Sequence, residues 1–257
     1  MMEVLTLDEE AVKPIGKAHR VDDAIGRYIE SAKSTIKSIS LNGLKIVLDC
    51  AHGAAYKVAP TIFTELGADV VALNVKPDGL NINQNCGALH PEQLKAAVVK
   101  EKADVGIAFD GDADRVIFVD EKGNDIDGDR IMAILAVEMK RQRKLENDTI
   151  VATVMSNAGF EETLKEKAIT VLRTPVGDRY VADVLKKGYS LGGEQSGHII
   201  ITDYSTTGDG IIAALQVLAI MKKEEKKISE LGSIVRLYPQ TLINVTVKEK
   251  KDFNKMK

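Results

Sequence analysis

The sequence predicts an α/β protein: two similar three-layer α/β/α domains with mixed sheets, followed by the first strand of a truncated further domain. Three observations carry this. Short runs rich in β-branched residues, such as Lys45-Ile46-Val47-Leu48-Asp49, alternate with segments of helical apolar spacing. The alternation runs through twice in 257 residues, which is length enough for two ordinary domains. Hydrophobic residues make up 44% and charged residues 28%, the balance of a globular chain with a core and a wet surface.

Residues 1–16 carry acids and little apolar periodicity, and read as a lead-in or linker. A helix is expected over 21–39, with Ile25, Tyr28, Ile29, Ala32 and Ile36 on one stripe, broken by Asn42-Gly43. The strand at 45–49 enters a small-residue turn at 51–55. A helix over 59–66, a stop at Gly67 and a strand over 69–75 complete a strand–helix–strand unit, which favours parallel pairing. A polar loop then runs to His90, and Pro91 opens a helix to about Lys100. Strands at 103–109 and 116–119 flank an acidic turn. The first domain is expected over 17–124 and the second over 125–238, joined near 121–127. In the second, helices are expected at 129–143, 159–167, 176–187 and 208–221, with strands at 149–155, 169–173 and 199–201. Residues 222–227 read as a solvated charge run. A strand over 241–247 begins the further domain expected over 239–257.

Composition excludes several partners. A net charge of −3 and a pI near 5.9 give no electrostatic footprint for nucleic acid. The absence of Trp argues against base-stacking platforms. Cys50 and Cys86 form no Cys-x-x-Cys and read as reduced, buried thiols. The start lacks the features of a signal peptide. The most apolar helix, 211–221, is too short to span a bilayer. The expectation is a cytoplasmic protein with neither nucleic acid nor membrane as partner.

The chain is organised around Asp110-Gly111-Asp112-Ala113-Asp114-Arg115. Three carboxylates at alternate positions on one turn repel each other unless a cation neutralises them. A hard divalent ion does this best: Mg²⁺ takes oxygen ligands and leaves positions for phosphate oxygens. Arg115 offers a fork suited to a phosphate beside that ion. An exposed acidic turn is the plainer alternative, and three Asp followed by Arg weigh against it. An EF-hand loop shares Asp-x-Asp-x-Asp but needs Gly at the sixth position, where this chain has Arg115. The loop lies at the carboxyl end of a strand, where open α/β sheets place ligands.

The second feature is Gly192-Gly193-Glu194-Gln195-Ser196-Gly197-His198. Glycines let a backbone approach a ligand closely. Glu194, Ser196 and His198, alternating along an extended segment, suit hydrogen bonds to adjacent sugar hydroxyls. A glycine-rich turn facing water explains the same residues equally well. At Gly177-Asp178-Arg179, and again at 206–210, helix capping by Asp is the favoured role. A phosphate docking at the helix start is the alternative at 177–179, and Arg179 reads equally as a surface charge or as a contact to it. No Ser has a partnered base or a Gly-x-Ser-x-Gly elbow.

Together the two loops resemble the α-D-phosphohexomutase family. Its metal loop, Asp-Gly-Asp-(Gly/Ala)-Asp-Arg, is met residue for residue at 110–115, and its sugar loop, Gly-Glu-x-Ser-Gly-His, at 193–198. Gln195 at the variable position is similar to the family's glucosamine-phosphate branch; relatives acting on mannose or glucose phosphates usually carry Met there. The resemblance implies that Asp110, Asp112 and Asp114 hold Mg²⁺ and that Arg115 assists at the transferring phosphoryl group. Glu194 and Ser196 would grip sugar hydroxyls, with His198, Gly177 and Asp178 lining the cleft. The implied reaction interconverts glucosamine 6-phosphate and glucosamine 1-phosphate through a phosphoserine and a bisphosphate intermediate.

The family's Ser-His-Asn-Pro phosphoserine loop and its Arg-x-Ser-Gly-Thr-Glu-Pro phosphate loop are both missing from these 257 residues. The chain therefore reads as the central part of such a mutase, needing N- and C-terminal domains as partners and inactive alone. His52, where Asn is commoner, and Ala88-Leu89, where Ser-Thr is usual, also depart from the family. Three other readings compete: a mannose- or glucose-phosphate mutase of the same family; an aspartyl-phosphate phosphatase with Asp110 or Asp112 as nucleophile; and a non-catalytic sugar-phosphate-binding module.

Overall fold

Two mixed sheets face each other across a shared helical layer. The computed structural model describes residues 20–37, 39–241, 243 and 246. The expected lead-in at 1–16 lies outside the described residues, as does the expected strand at 241–247 apart from three positions.

Helix α1 (Ala24–Ser34) is followed by β1 (Lys45–Asp49), α2 (Ala55–Glu65), β2 (Asp69–Leu73), α3 (Glu92–Glu101) and β3 (Val105–Phe109). The antiparallel strands β4 (Val116–Asp120) and β5 (Asp125–Ile126) complete a five-stranded sheet of order β2-β1-β3-β4-β5. In it, β1 pairs parallel to both β2 and β3, as crossover through a helix requires. The second half runs α4 (Gly128–Arg141), β6 (Thr149–Thr153), α5 (Ala158–Glu166), β7 (Thr170–Thr174), α6 (Asp178–Leu185), β8 (Leu191–Gly193), β9 (Ile199–Ile201), α7 (Gly210–Glu224) and α8 (Ile228–Gly232). Its sheet order is β7-β6-β8-β9, with only β8–β9 antiparallel.

The layers follow from strand alternation. Ile46 and Leu48 of β1 enter the main core while Val47 enters a second cluster under α3, with Leu94 and Val98. In the other sheet, Ile150 and Ala152 face the main core, and Val151 faces Val181 and Leu185 of α6. The inner faces of both sheets thus share one core.

Helix α7 sits inside that core, touching β3, β4, β9, α1 and α4. Ten of its first eleven non-glycine positions, all but Gln216, are apolar, and all ten are buried. Leaving one flank in water would forfeit roughly 1.5–3 kcal/mol for each large side chain. A helix apolar on every side therefore demands cover from both sheets. Among the described residues, no helix is long and apolar enough to cross a membrane.

Several expectations change. Helix α1 is shorter than 21–39, and Ile25 is 53% exposed rather than on the buried stripe. Helix α2 starts at Ala55, four residues before the expected start at 59, and accommodates Pro60 inside it. Residues 125–126, assigned to the second domain, form β5 and pair with β4, so the first sheet extends to 126. Residues 228–232, unassigned, form α8. Cys50 and Cys86 are free and buried; burial, with Asp49 adjacent, pushes the Cys50 thiol up to about 12.

Candidate functional site

The acidic turn joins β3 to antiparallel β4, so the sheet itself bends the chain back at its carboxyl edge. Asp110 is 9% exposed, Asp112 is exposed and Asp114 lies between. Each of the three offers an oxygen within 4.8 Å of the others. Ala113 supports this arrangement with φ 65°, a left-handed conformation costly for a residue with a side chain. Burial pushes the Asp110 carboxyl up to about 6; the Arg115 amide, donating at 3.1 Å, opposes this, and the neighbouring Asp114 and Asp112 charges add to it. Such a cluster lacks positive charge. Arg115 Nε stands 3.8 Å from Asp110 and 3.9 Å from Asp114, buried and without a hydrogen bond. The donor set, all carboxylate and undercompensated, fits a hard divalent cation.

The turn is held from behind. Gly53 comes so close that a Cβ there would stand 2.1 Å from the Gly111 carbonyl oxygen, and Ala54 N–H donates to that oxygen at 2.7 Å. Fully buried Asp49 accepts from the amides of Ala51 (2.9 Å) and Gly87 (2.9 Å), pinning the β1 turn and the loop that carries Asn83 against Gly111. Sequence reading missed Asp49. Its signal was a carboxylate ending an otherwise apolar strand before a turn of small residues.

The second loop is the tip of the β8–β9 hairpin, not an extended segment. Glu194 N–H donates to the His198 carbonyl at 2.9 Å, and residues 195–197 turn tightly through Gly197 at φ 94°. The turn separates side chains that strict alternation would have aligned. Glu194 and Ser196 face a cavity of about 420 Å³ also lined by Arg115, Thr153, Met155 and Val176. His198 turns inward, 2% exposed. Its Nδ1 lies 3.0 Å from Asp114 Oδ2, and its Nε2 accepts the Gly208 amide at 3.2 Å. Since Nε2 accepts, Nδ1 carries the proton and donates to Asp114.

Glu194 Oε1 accepts the Gly177 amide at 2.9 Å, and Ser196 Oγ lies 3.4 Å from Oε2. Gly177, at φ 129°, occupies the N-cap of α6. Asp178 is thus the first helical residue, exposed, and does not cap as expected; its charge sits at the positive end of the helix dipole. Asp209 does cap, accepting the Ile212 amide at 2.9 Å.

The two loops meet backbone to backbone. Val116 N–H donates to the Gly197 carbonyl at 3.1 Å, and a Cβ on Gly197 would stand 2.2 Å from the Val116 carbonyl oxygen. Gly128 packs equally closely on the Glu194 carbonyl, 2.2 Å from its would-be Cβ. A larger cavity, about 500 Å³, among Leu44, Asp104, Glu121 and Lys226 involves neither loop.

A carboxylate cluster at a sheet edge is followed directly by an arginine that lines one cavity with a polar hairpin tip, an arrangement whose chemistry fits a cation beside a polar, anionic ligand. The chain belongs to the phosphoglucomutase/phosphomannomutase family: residues 26–123 match its α/β/α domain II and residues 127–238 its α/β/α domain III. It is 59% identical over 242 residues to a phosphoglucosamine mutase of Geobacter sp. (strain M21), covering 93% of this chain and 53% of that protein. The phosphoglucosamine mutase of Geotalea daltonii is 57% identical over 251 residues, 95% of this chain and 55% of the relative. The chain spans about half the length of the curated relatives it matches. Among solved structures, a phosphoglucomutase/phosphomannomutase family protein from Burkholderia thailandensis superposes with TM-score 0.72 at 28% identity, over 82% of this chain and 46% of that one. Aspergillus fumigatus N-acetylphosphoglucosamine mutase, in complex with GlcNAc-6P and magnesium, shares the fold: TM-score 0.68 at 20% identity, covering 88% and 55%.

Proposed function

We propose that this chain is the central part of a cytoplasmic phosphosugar mutase that interconverts glucosamine 6-phosphate and glucosamine 1-phosphate. One observation carries the reading: Arg115 of the acidic turn and Glu194 and Ser196 of the hairpin tip line the same cavity. A group transferred between two positions of one sugar needs phosphoryl and hydroxyl recognition side by side. In this reading the unit that ends with β5 at 126 carries the metal loop and residues 127–238 form the unit carrying the sugar loop.

Asp110, Asp112 and Asp114 would hold Mg²⁺, which supplies charge neutralisation at the transferring phosphoryl group. Arg115, already beside two carboxylates, is placed to turn its guanidinium to a phosphoryl oxygen. Glu194 accepts from sugar hydroxyls, and its orientation is fixed by the Gly177 amide. Ser196 can donate or accept beside it. His198 holds Asp114 in place rather than reaching the sugar. Asp178, exposed at the start of α6 next to the Gly177–Glu194 contact, would offer a further carboxylate to a hydroxyl or amine. The phosphoserine is supplied from outside these 257 residues, along with a second phosphate-binding loop.

Isothermal titration of glucosamine 6-phosphate into the chain, with and without Mg²⁺, tests the binding half. Binding is expected, weakened by Glu194→Ala; heat independent of both Mg²⁺ and Glu194 would refute the shared cleft. The same chain should show no mutase turnover, and turnover by it alone would overturn the external phosphoserine. A stable beryllofluoride adduct on Asp110 would instead favour a phosphatase with an aspartyl nucleophile.

A further inference from the structure

We propose that Tyr28 and Asp209 are positioning residues for the three carboxylates of the acidic turn, acting through the first residues of α7. The inference rests on the reading of that turn as a cation site. The tripeptide Gly208-Asp209-Gly210 lies directly behind the turn. The Gly208 amide donates to His198 Nε2 at 3.2 Å, and the Gly210 amide donates to the Ala113 carbonyl at 2.9 Å. A Cβ on Gly208 would stand 2.6 Å from His198 Nε2 and 2.8 Å from the Asp114 carbonyl oxygen. On Gly210 it would stand 2.7 Å from the Arg115 carbonyl oxygen and 3.0 Å from that of Ala113. Both glycines are therefore needed for closeness alone. The helix N-terminus is seated on the backbone of three consecutive residues of the acidic turn.

Asp209, between them, points the other way. Its Oδ1 caps Ile212, and the Tyr28 hydroxyl lies 3.0 Å from each of its oxygens. The cap does not need Tyr28; Ile212 already satisfies it. What Tyr28 adds is a tie from α1 in the first half of the chain to the residue on which two backbone contacts to the turn depend. Ala113 is held left-handed at φ 65°, so its carbonyl direction depends on an outside partner, and the Gly210 amide is that partner. Holding Ala113 fixes the spacing between Asp112 and Asp114. The Gly208–His198 bond adds a second route, ending on the Asp114 carboxylate.

Helix α1 also meets α7 elsewhere, which supplies a control. Gln216 Nε2 lies 3.1 Å from Thr35 Oγ1 and 3.4 Å from the Thr35 carbonyl, about 9 Å along the helix axis from Gly210. If α1 serves only to hold the two halves together, losing either contact has the same effect at the turn.

Site-resolved amide hydrogen exchange on the 257-residue chain distinguishes these cases, comparing wild type, Tyr28→Phe and Gln216→Ala. Tyr28→Phe keeps the ring and should speed exchange at the Gly210 and Arg115 amides about fivefold or more, while Gln216→Ala leaves both unchanged. Mn²⁺ titration followed by electron paramagnetic resonance should show weaker binding in Tyr28→Phe alone. Equal acceleration in both variants, or none in Tyr28→Phe, would overturn the inference. Wild-type protein that binds no Mn²⁺ would refute the cation reading instead, leaving exchange to decide the positioning role.

Discussion

His198 Nδ1 donates to Asp114 Oδ2 across 3.0 Å, so the last side chain of the hairpin loop is bonded to the third carboxylate of the acidic turn. The two loops are 84 residues apart in sequence at this pair. They are joined directly through this bond and the adjacent Val116–Gly197 backbone bond.

The tautomer is a first prediction. With the Gly208 amide pointing at Nε2, the neutral ring should be protonated at Nδ1, the less common form in solution. Nitrogen-15 NMR of the ring reads this directly, and an Nε2–H signal would contradict it. His198→Ala should cost about 2–4 kcal/mol in urea unfolding, from a lost charge-assisted bond and the space left behind. His198→Asn, whose amide can mimic Nδ1–H, should recover part of that; recovery by Gln and not Asn would point to Nε2 as the bond that matters.

Gly197→Ala is predicted to separate the loops. At φ 94° a side chain is strained, and its Cβ would meet the Val116 carbonyl oxygen at 2.2 Å. Strain and displacement together should cost more than about 2 kcal/mol, read by circular dichroism during urea unfolding. Gly79→Ala is the reference: φ is 90° there, but nothing lies within 4 Å of a Cβ. Equal costs at the two positions would show that backbone conformation, not the close approach, is what matters.

The acidic turn was legible because its chemistry is written in adjacent residues: three alternating Asp need a cation whatever surrounds them. The fold was legible because strands buried on both faces read as apolar runs and α7 as a helix with no polar side. The partners of each site residue were not. His198 sits two residues from Ser196 and alternates with it, yet one left-handed glycine between them sends the imidazole inward. Asp178 looks like a cap, but Gly177 takes that position and moves it one residue into the helix. Asp49, Tyr28 and Asp209 depend on contacts between distant segments, and no local pattern announces those. Strand β5 escaped notice because two residues are too few to show a period.

Asp129 gives a pH test away from the acidic turn. It is fully buried, and burial pushes its carboxyl up to about 6 from 3.8, partly offset by the Asn157 amide donating at 2.7 Å. The folded protein therefore holds this proton more tightly than the unfolded chain. Its contribution favours folding most below pH 3.8, falls as pH rises to about 6, and is constant above. The loss amounts to about 3 kcal/mol. Asp129→Asn keeps an oxygen for Asn157 and removes the charge. The stability of the variant relative to wild type should rise between pH 4 and 6 and favour the variant at pH 7. A difference independent of pH would contradict the assignment.

Cation binding at the acidic turn tests the central claim most directly. Titrating Mn²⁺ into the chain, monitored by electron paramagnetic resonance, should show one ion bound per chain, displaced by Mg²⁺. Removing two of the three clustered carboxylates with Asp112→Asn and Asp114→Asn should abolish binding. Undiminished binding in that double variant, or none in the wild type, would contradict the account.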